Sequence, residues 1–413
     1  MKYFKKYDNG LRLIIAEMEG FVTVSCGVMV KTGSVNETAD ENGISHFIEH
    51  TMFKGTKTRS AFEISDKIDR IGAQINAYTS KETTCYYTKS ISEHLETSLD
   101  VLSDIFFNSV FDKEELEKEK GVILEEINMC EDTPEDLCLD LLSESYYGND
   151  GLGRPILGSA KNVKRFNRED IKRYTDRFYR ADNVVIAIAG KVDVKQAEKL
   201  VDEMFAANFG NEKSEKQFIS TPSKPLSLYK SKKIEQSHVA FCMPGVSVKS
   251  VKADALNIAN AVLGGGMSSR LFQKIREEEG LAYSVYSYMS QYKDSGVIEI
   301  YAGVNTASRD AAAEHIVNEV KRLKAEKITE SEFLRGKEQV KSAFIMSREN
   351  TVSQMMLYAR YLTFLDKEFD YDERIKFLDG ITYKDVSDVI DEYFDITKAS
   401  VATVGSKRSA IKI

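Results

Sequence analysis

Apolar residues follow two spacings along this chain of 413 residues, and each spacing predicts one kind of element. Runs rich in valine and isoleucine that end at glycine or polar residues predict strands. These runs cover residues 21–31, 74–79, 84–90, 183–190, 238–243, 283–288, 296–303 and 399–405. Apolar residues at helical spacing predict helices from about residue 43, then at residues 61–71, 92–107, 113–129, 194–205 and 254–263. After a break around Pro134, helix is also predicted to resume as far as Tyr147. Strands and helices that mix without a regular alternation indicate an α+β fold.

The order of predicted elements in the second half repeats the order in the first. The strand at 238–243 corresponds to 21–31, and the strand at 399–405 corresponds to 183–190. The separation of roughly 210 residues is too long for a solenoid and predicts two similar domains. Polar residues 213–228, which include Pro222 and Pro225, predict a linker. We therefore expect domains at residues 1–212 and 229–413, each a mainly antiparallel sheet packed with helices.

Composition excludes several classes of protein. A formal net charge of −8 argues against a nucleic-acid-binding face. No apolar run approaches the roughly 20 residues that span a bilayer, and the first residues lack the apolar region of a secretory signal. The five cysteines are scattered and none forms a C-x-x-C pair, so neither a disulfide framework nor a thiolate zinc site is predicted. A reduced, cytoplasmic location fits best, without a nucleic-acid or membrane partner.

The first candidate site is the sequence His46-Phe47-Ile48-Glu49-His50. Positions i and i+4 share one face of a helix, so both imidazoles can reach one metal ion. Glu49 lies beside them and can take a proton from a water molecule. This H-x-x-E-H order is a signature of zinc hydrolases, although two surface histidines on an amphipathic helix would be the simpler interpretation. A third ligand is expected among the acids of residues 114–129, and spacing alone does not choose one.

Longer stretches around these residues resemble the inverted-zincin (pitrilysin, M16) peptidases. The likeness is strongest to their short branch, which includes bacterial processing proteases and the mitochondrial processing peptidase. The matching stretches are residues 43–56, 75–87, 119–127, 153–158, 264–272 and 275–285. Because the resemblance covers nearly the whole chain, it is more specific than the five-residue motif. It implies a zinc endopeptidase that binds one Zn²⁺ per chain and cleaves unfolded peptides.

The resemblance assigns roles to residues of the first half. It implies that His46, His50 and Glu126 bind zinc, with Glu125 as the less favoured third ligand. It makes Glu49 the general base. It also implies that Glu119 supports a histidine ligand and that Asn76 and Ala77 bind the peptide along a strand.

In the second half the resemblance implies contacts to the substrate. Tyr283, with Arg276 seven residues earlier, would donate a hydrogen bond to the carbonyl of the bond to be cleaved. The glycines that would help to handle substrate are Gly264, Gly265 and Gly266. No G-K-[ST] follows these glycines, so a nucleotide site is not predicted.

The resemblance also predicts an assembly. Longer relatives join two such halves around a closed chamber, and this chain corresponds to one half. A homodimer, or a heterodimer with a similar subunit, would complete the chamber, with Arg276 and Tyr283 facing the zinc of the partner. The alternative function is that of a noncatalytic scaffold or partner subunit. Such subunits typically lose zinc ligands, and here all are present.

Overall fold

The computed structural model describes residues 2–216, 218–222, 225–407, 411 and 413. Its strands are β1 (Lys2–Lys6), β2 (Arg12–Glu17), β3 (Thr23–Val30), β4 (Gln74–Thr79), β5 (Thr84–Ile91), β6 (Val184–Gly190), β7 (Ser227–Ser231), β8 (Gln236–Pro244), β9 (Ala282–Gln291), β10 (Gly296–Asn305) and β11 (Ser400–Gly405). Its α-helices are α1 (Ile44–Thr51), α2 (Ala61–Asp69), α3 (Leu95–Asn108), α4 (Lys113–Asp132), α5 (Pro134–Tyr147), α6 (Ala160–Arg165), α7 (Arg168–Phe178), α8 (Val194–Met204), α9 (Ala253–Gly264), α10 (Arg309–Glu326), α11 (Glu330–Met346), α12 (Thr351–Leu365), α13 (Tyr371–Gly380) and α14 (Tyr383–Tyr393). A π-helix covers Phe272–Glu278.

Contacts divide the chain into two compact units, and each unit contains one sheet. The first unit consists of Met1–Ile127, Pro155–Phe218 and Ser347–Phe369. The second unit consists of Asn128–Arg154, Ile219–Met346 and Asp370–Ile413. Helix α5 therefore belongs to the second unit and helix α12 to the first. The predicted linear boundaries at 212 and 229 remain a prediction, and residues 217, 223 and 224 of the predicted linker lie outside the described residues.

The sheet of the first unit has the strand order β1-β2-β6-β3-β5-β4. Its pairs are antiparallel except for the parallel pair β2 and β6. Strand β6 is buried at every residue. Helix α12 packs on β3 and β6, and residues of the same strands also form the apolar core together with α1 and α3. A strand covered on both faces is expected to be a continuous apolar run, as Val184–Gly190 is.

The sheet of the second unit has the order β7-β11-β8-β10-β9. It repeats the arrangement β2-β6-β3-β5-β4, including one parallel pair, here β7 and β11. Helix α5 packs on β8 and β11, as α12 packs on β3 and β6. The repeated topology agrees with the prediction of two similar α+β domains with mainly antiparallel sheets.

Of the eleven strands in the described residues, eight were predicted from the sequence. Strands β3 to β6 and β8 to β11 all lie where strands were predicted, within a few residues. The strands β1 and β7 were not predicted, because they are short and partly exposed. Strand β2 was also missed, although its residues Leu13 to Ala16 form a buried apolar run. The helix predicted from residue 92 begins at Leu95, after the single turn Ser92–His94.

Candidate active site

Helix α1 presents the H-x-x-E-H residues from a firmly anchored position. Its residues Phe47 and Ile48 are fully buried in the core of the first unit, whereas His46, Glu49 and His50 are half-buried on the other side. The preceding Gly43 has a φ of +101°, a conformation that favours glycine, and a Cβ atom there would lie 2.8 Å from the carbonyl oxygen of Leu157. The start of the helix therefore leaves no room for another residue type.

Helix α4 brings one carboxylate to both histidines. The Nε2 atoms of His46 and His50 lie 3.6 and 3.4 Å from Oε2 of Glu126. One ligand atom from each of these three residues lies within 4.8 Å of the others. Ligands about 2.1 Å from a tetrahedral zinc ion lie roughly 3.4 Å apart, so the spacing suits zinc. Glu125, the alternative in the sequence, is exposed and is not part of this group.

The donor atoms are also free to bind a metal. Oε2 of Glu126 is buried and accepts no hydrogen bond from the described residues. Burial and the neighbouring His50 lower the pKa of His46 to about 4, so its imidazole is neutral at physiological pH. A buried oxygen without a hydrogen-bond donor is costly, and a cation held between the three side chains would satisfy it.

Glu119 lies on α4, two helical turns before Glu126, and contacts His50. Its Oε2 is 3.2 Å from Nδ1 of His50, and its Oε1 is 2.6 Å from Nζ of Lys54. Burial opposes ionisation of this carboxyl group, but the hydrogen bonds from His50 and Lys54 outweigh it and lower the pKa of Glu119. Lys54 was not predicted from the sequence, because it lies beyond the end of α1 at Thr51 and helical spacing does not place it beside Glu119.

Glu49 contacts a strand as well as the histidines. Thr79, the last residue of β4, donates a hydrogen bond of 2.5 Å from Oγ1 to Oε2 of Glu49. Burial raises the pKa of Glu49, which increases its affinity for a proton. Thr79 was not predicted from the sequence, because the contact joins residues that are distant in the chain.

Strand β4 forms one edge of its sheet and packs near α1. Asn76 is exposed on this strand, and its Oδ1 accepts a hydrogen bond of 2.8 Å from the backbone N–H of Ala77. An edge strand offers backbone groups to which an extended peptide can pair. The predicted peptide-binding residues thus lie on an edge strand next to the helix that carries His46 and His50.

The other predicted residues lie in the second unit. Tyr283 is the second residue of the edge strand β9, and it is 81% exposed. The guanidinium carbon of Arg276 lies 4.9 Å from the centre of the Tyr283 ring. Gly264 ends α9, and Gly265 and Gly266 follow it. The relation of these five residues to His46, Glu49 and His50 stays a prediction.

Comparison with known proteins identifies the family of this chain. Residues 13–160 match the family model described as insulinase (peptidase family M16), and residues 165–340 match the model of the peptidase M16 inactive domain. The zinc protease YmxG of Bacillus subtilis, itself described as uncharacterised, is 40% identical over 412 residues, which cover 98% of this chain and 100% of the relative. The chain belongs to peptidase family M16. The family predicted from the sequence is therefore confirmed.

Two other similar proteins match along nearly the whole chain. An uncharacterised zinc protease of Rickettsia bellii is 35% identical, with 97% of this chain and 96% of the relative covered. The crystal structure of a protease from Helicobacter pylori has the same fold, with a TM-score of 0.91, 23% identity, and coverage of 98% of this chain and 99% of that one.

The M16 inactive-domain match covers much of the second unit. Within the described residues, the only group of histidine, cysteine and acidic side chains close enough to hold a metal is His46, His50 and Glu126. This group lies in the first unit and within the region that matches the insulinase model. Among the described residues, no helix combines the length and apolar character that crossing a membrane requires.

Proposed function

We propose that this protein is a zinc-dependent endopeptidase that cleaves unfolded peptides. The observation that carries this proposal is the convergence of His46, His50 and Glu126, with a buried carboxylate oxygen that lacks a hydrogen-bond donor among the described residues. The zinc proteases among the relatives support the choice of metal and of substrate class. Other zinc hydrolase reactions would use the same donors, but no observation favours them.

One zinc ion per chain would be held by His46, His50 and Glu126. Bound there, zinc would act as a Lewis acid that polarises the carbonyl of a peptide bond and makes a water molecule more acidic. Glu119 would keep the proton of His50 on Nδ1, so that the Nε2 lone pair faces the metal position.

Glu49 would be the general base. Its carboxylate would take a proton from the attacking water and then transfer that proton to the amine that leaves. The burial that raises its pKa suits both steps, because a carboxylate with a raised pKa binds the proton more readily. Thr79 would hold the Oε2 atom in place, which leaves Oε1 to accept the proton.

The substrate would lie along the edge strand β4. Main-chain hydrogen bonds with a strand edge tolerate many side chains, which suits a peptidase of broad sequence preference. The N–H of Ala77 is bonded to the side chain of Asn76, so Asn76 would turn away to offer that N–H to the peptide.

The proposal extends to the second unit and to the assembly. Tyr283, steadied by the cation–π contact with Arg276, would donate a hydrogen bond to the carbonyl oxygen as negative charge develops. The glycines Gly264, Gly265 and Gly266 would contact the peptide. A homodimer, or a heterodimer with a similar subunit, would complete the chamber. A cytoplasmic location is proposed because all five cysteines are free thiols, four of them buried.

The alternative is a noncatalytic partner subunit. A subunit without activity has no need for three convergent metal donors, and the cost of burying Glu126 Oε2 without a donor would then serve no purpose. The complete donor set therefore favours the peptidase.

The test is cleavage of a quenched fluorescent peptide library by the purified protein with and without a chelator. Glu49→Gln is expected to lower kcat by about 10²- to 10⁴-fold, the range of general-base catalysis, while bound zinc stays stoichiometric. Glu126→Gln should lose both zinc and activity. Glu125→Gln, which changes the exposed neighbour, is the matched control and should keep both. If the wild-type protein binds zinc but cleaves no peptide, the result contradicts the peptidase and favours the noncatalytic subunit.

A mixing experiment tests the assembly. Neither Glu49→Gln nor Tyr283→Phe is expected to be active alone. If Tyr283 acts on the metal site of a partner chain, a mixture of the two variants recovers part of the wild-type rate. A mixture that stays inactive under conditions where subunits exchange contradicts action across a dimer.

A further inference from the structure

One buried acid near the metal donors has no role in the mechanism above. Glu37 is 2% exposed and lies nine residues before His46 in the chain. Its Oε2 accepts a hydrogen bond of 2.8 Å from the backbone N–H of Gly43, and its Oε1 accepts one of 2.8 Å from the backbone N–H of Ser45. The side chain of Asn42 also donates to Oε2, at 3.0 Å. Both oxygens therefore hold the start of α1.

This arrangement is costly if it serves stability alone. Glu37 is removed from water, and this burial raises the pKa of its carboxyl group in spite of these hydrogen bonds. Serine, threonine, aspartate or asparagine at the N-cap satisfies the first N–H groups of a helix at lower cost. Such caps begin α7 and α8 of the same unit, with Asn167 and Asp193. At α1 the N-cap is Gly43, which has no side chain. The buried carboxylate of Glu37 accepts hydrogen bonds there in place of a capping side chain.

The position of the Glu37 carboxylate relates it to the metal donor His46. Ser45 directly precedes His46, so the bond from Glu37 to the Ser45 N–H fixes the backbone next to a metal donor. His46 lies in the first turn of α1, where the helix carries a positive partial charge. That charge repels a cation held by His46, and the negative charge of Glu37 offsets it.

A second set of contacts holds the same turn. The Oγ atom of Ser45 is 2.9 Å from the hydroxyl of Tyr174, which also donates to the carbonyl oxygen of Gly33. The side chain of Asn162 donates to the carbonyl oxygen of Asn42 at 3.1 Å. Every partner belongs to the first unit, so the first turn of α1 is fixed within that unit.

We infer that Glu37 is a positioning residue for the metal site, which fixes His46 through the Ser45 backbone and offsets the positive end of α1. The inference rests on the proposed zinc site. It requires no contact between Glu37 and the metal, the substrate or the reacting atoms. It assigns to Glu37 an effect on how tightly and in what geometry the metal is bound.

The test measures metal binding without activity. Zinc affinity is measured by competition with a chromophoric chelator on the full chain, and Co²⁺ is substituted for zinc to record its visible spectrum. Glu37→Gln keeps the shape of the side chain but removes its charge and places an amide N–H₂ against a backbone N–H. We expect it to weaken zinc binding about tenfold, as outer ligand-supporting residues typically do, and to change the Co²⁺ spectrum.

The matched control is Asp104→Asn. Asp104 is also a buried acid of the first unit, 5% exposed, and holds Thr56, Thr58 and Arg59. This variant should lower the melting temperature while zinc affinity and the Co²⁺ spectrum stay as in the wild type. Equal changes in both variants, or wild-type zinc binding in Glu37→Gln, would overturn the inference. If Glu37→Gln does not fold, Asn42→Ala removes one donor to Glu37 and should weaken zinc binding in the same direction. Unchanged binding in Asn42→Ala would then overturn it.

The result separates this inference from the proposed function. A wild-type chain that binds no zinc contradicts the proposed zinc site itself. A wild-type chain that binds zinc tightly, with Glu37→Gln binding equally well, leaves the zinc site intact and overturns only the role of Glu37.

Discussion

The Nδ1 atom of His50 lies 3.2 Å from Oε2 of Glu119. A proton held on Nδ1 by this carboxylate leaves the Nε2 lone pair free to face Glu126 and His46. The carboxylate is 4% exposed and its other oxygen contacts Lys54, so its own position is fixed. Burial lowers the proton affinity of His50, yet Glu119 and the nearby Glu126 and Glu49 outweigh burial and raise its pKa.

Replacement of Glu119 is therefore expected to weaken metal binding while the chain still folds. Glu119→Gln is expected to weaken zinc binding by about 10- to 100-fold, the usual effect of losing a group that orients a metal-binding histidine. Competition with a chelating dye measures the change. Glu117→Gln, on the same helix but exposed, is the control and should bind zinc as the wild type does. Equal affinities of the two variants would contradict this role for Glu119.

Thr79 should affect the rate of reaction and not the binding of metal. Thr79→Val removes the hydrogen bond to Glu49 and keeps the shape of the side chain. We expect kcat to fall about tenfold, since a hydrogen bond to a charged group is worth about 1.5 kcal/mol or more. Thr79→Ser, which keeps the hydroxyl, should restore most of kcat. A rise in KM at unchanged kcat would indicate that Thr79 contacts substrate and does not hold Glu49.

Gly264 and Gly266, at and after the end of α9, should differ in their tolerance of a side chain. A Cβ atom on Gly264 would lie 2.5 Å from the backbone nitrogen and the Oγ of Ser287. Gly264→Ala is therefore expected to lower the free energy of unfolding by about 1–3 kcal/mol. At Gly266 the nearest atom is 3.9 Å away, so Gly266→Ala should keep wild-type stability. Urea unfolding compares the two variants. A raised KM in Gly266→Ala would support its proposed contact with the peptide.

The pair of Arg270 and Glu332 should make stability depend on pH in acid. Arg270 donates two hydrogen bonds of 2.8 Å to the two oxygens of Glu332, and both side chains are largely buried. Burial opposes ionisation of Glu332, but the bonds from Arg270 and from the Thr329 backbone outweigh it and lower the pKa of Glu332 to about 2. A carboxyl group with a lowered folded-state pKa adds stability above its ordinary pKa near 4.5. That stability is lost as the pH falls from about 4.5 through 2.

Glu332→Gln is accordingly expected to lower the free energy of unfolding at pH 7 by about 3 kcal/mol. The difference from the wild type should shrink at pH 3. Urea unfolding at both pH values measures it. Asp388→Asn, in an exposed pair with Lys384, is the control and should change little at either pH. A difference between Glu332→Gln and the wild type that is the same at both pH values would contradict the prediction.

The sequence predicted those parts of the structure that local spacing determines. His46 and His50 share a helical face because four residues make about one turn, and the apolar run of β6 indicated a central strand. The α+β duplication followed from the repeated order of such elements. Glu126 was chosen over Glu125 by resemblance, since two adjacent acids on one helix are not distinguished by spacing alone.

Contacts between distant residues could not be predicted in this way. The bond from Thr79 to Glu49 depends on how β4 packs beside α1, and the bonds from Glu37 depend on the path of the chain before α1. The same limit applies to α12. Its apolar residues indicate a buried helix, but nothing in residues 351–365 tells which sheet it covers.

The assignment of α12 to the first unit has a consequence for the synthesis of the chain. The face of β3 and β6 that α12 covers stays bare until residues 351–365 have left the ribosome. The metal donors, which all precede residue 127, therefore belong to a unit that is completed only when α12 has been synthesised more than 200 residues later. A fragment that stops at the predicted linker would carry the donors on an unfinished sheet. The nascent chain thus acquires a complete metal-binding unit only after α12 has been synthesised.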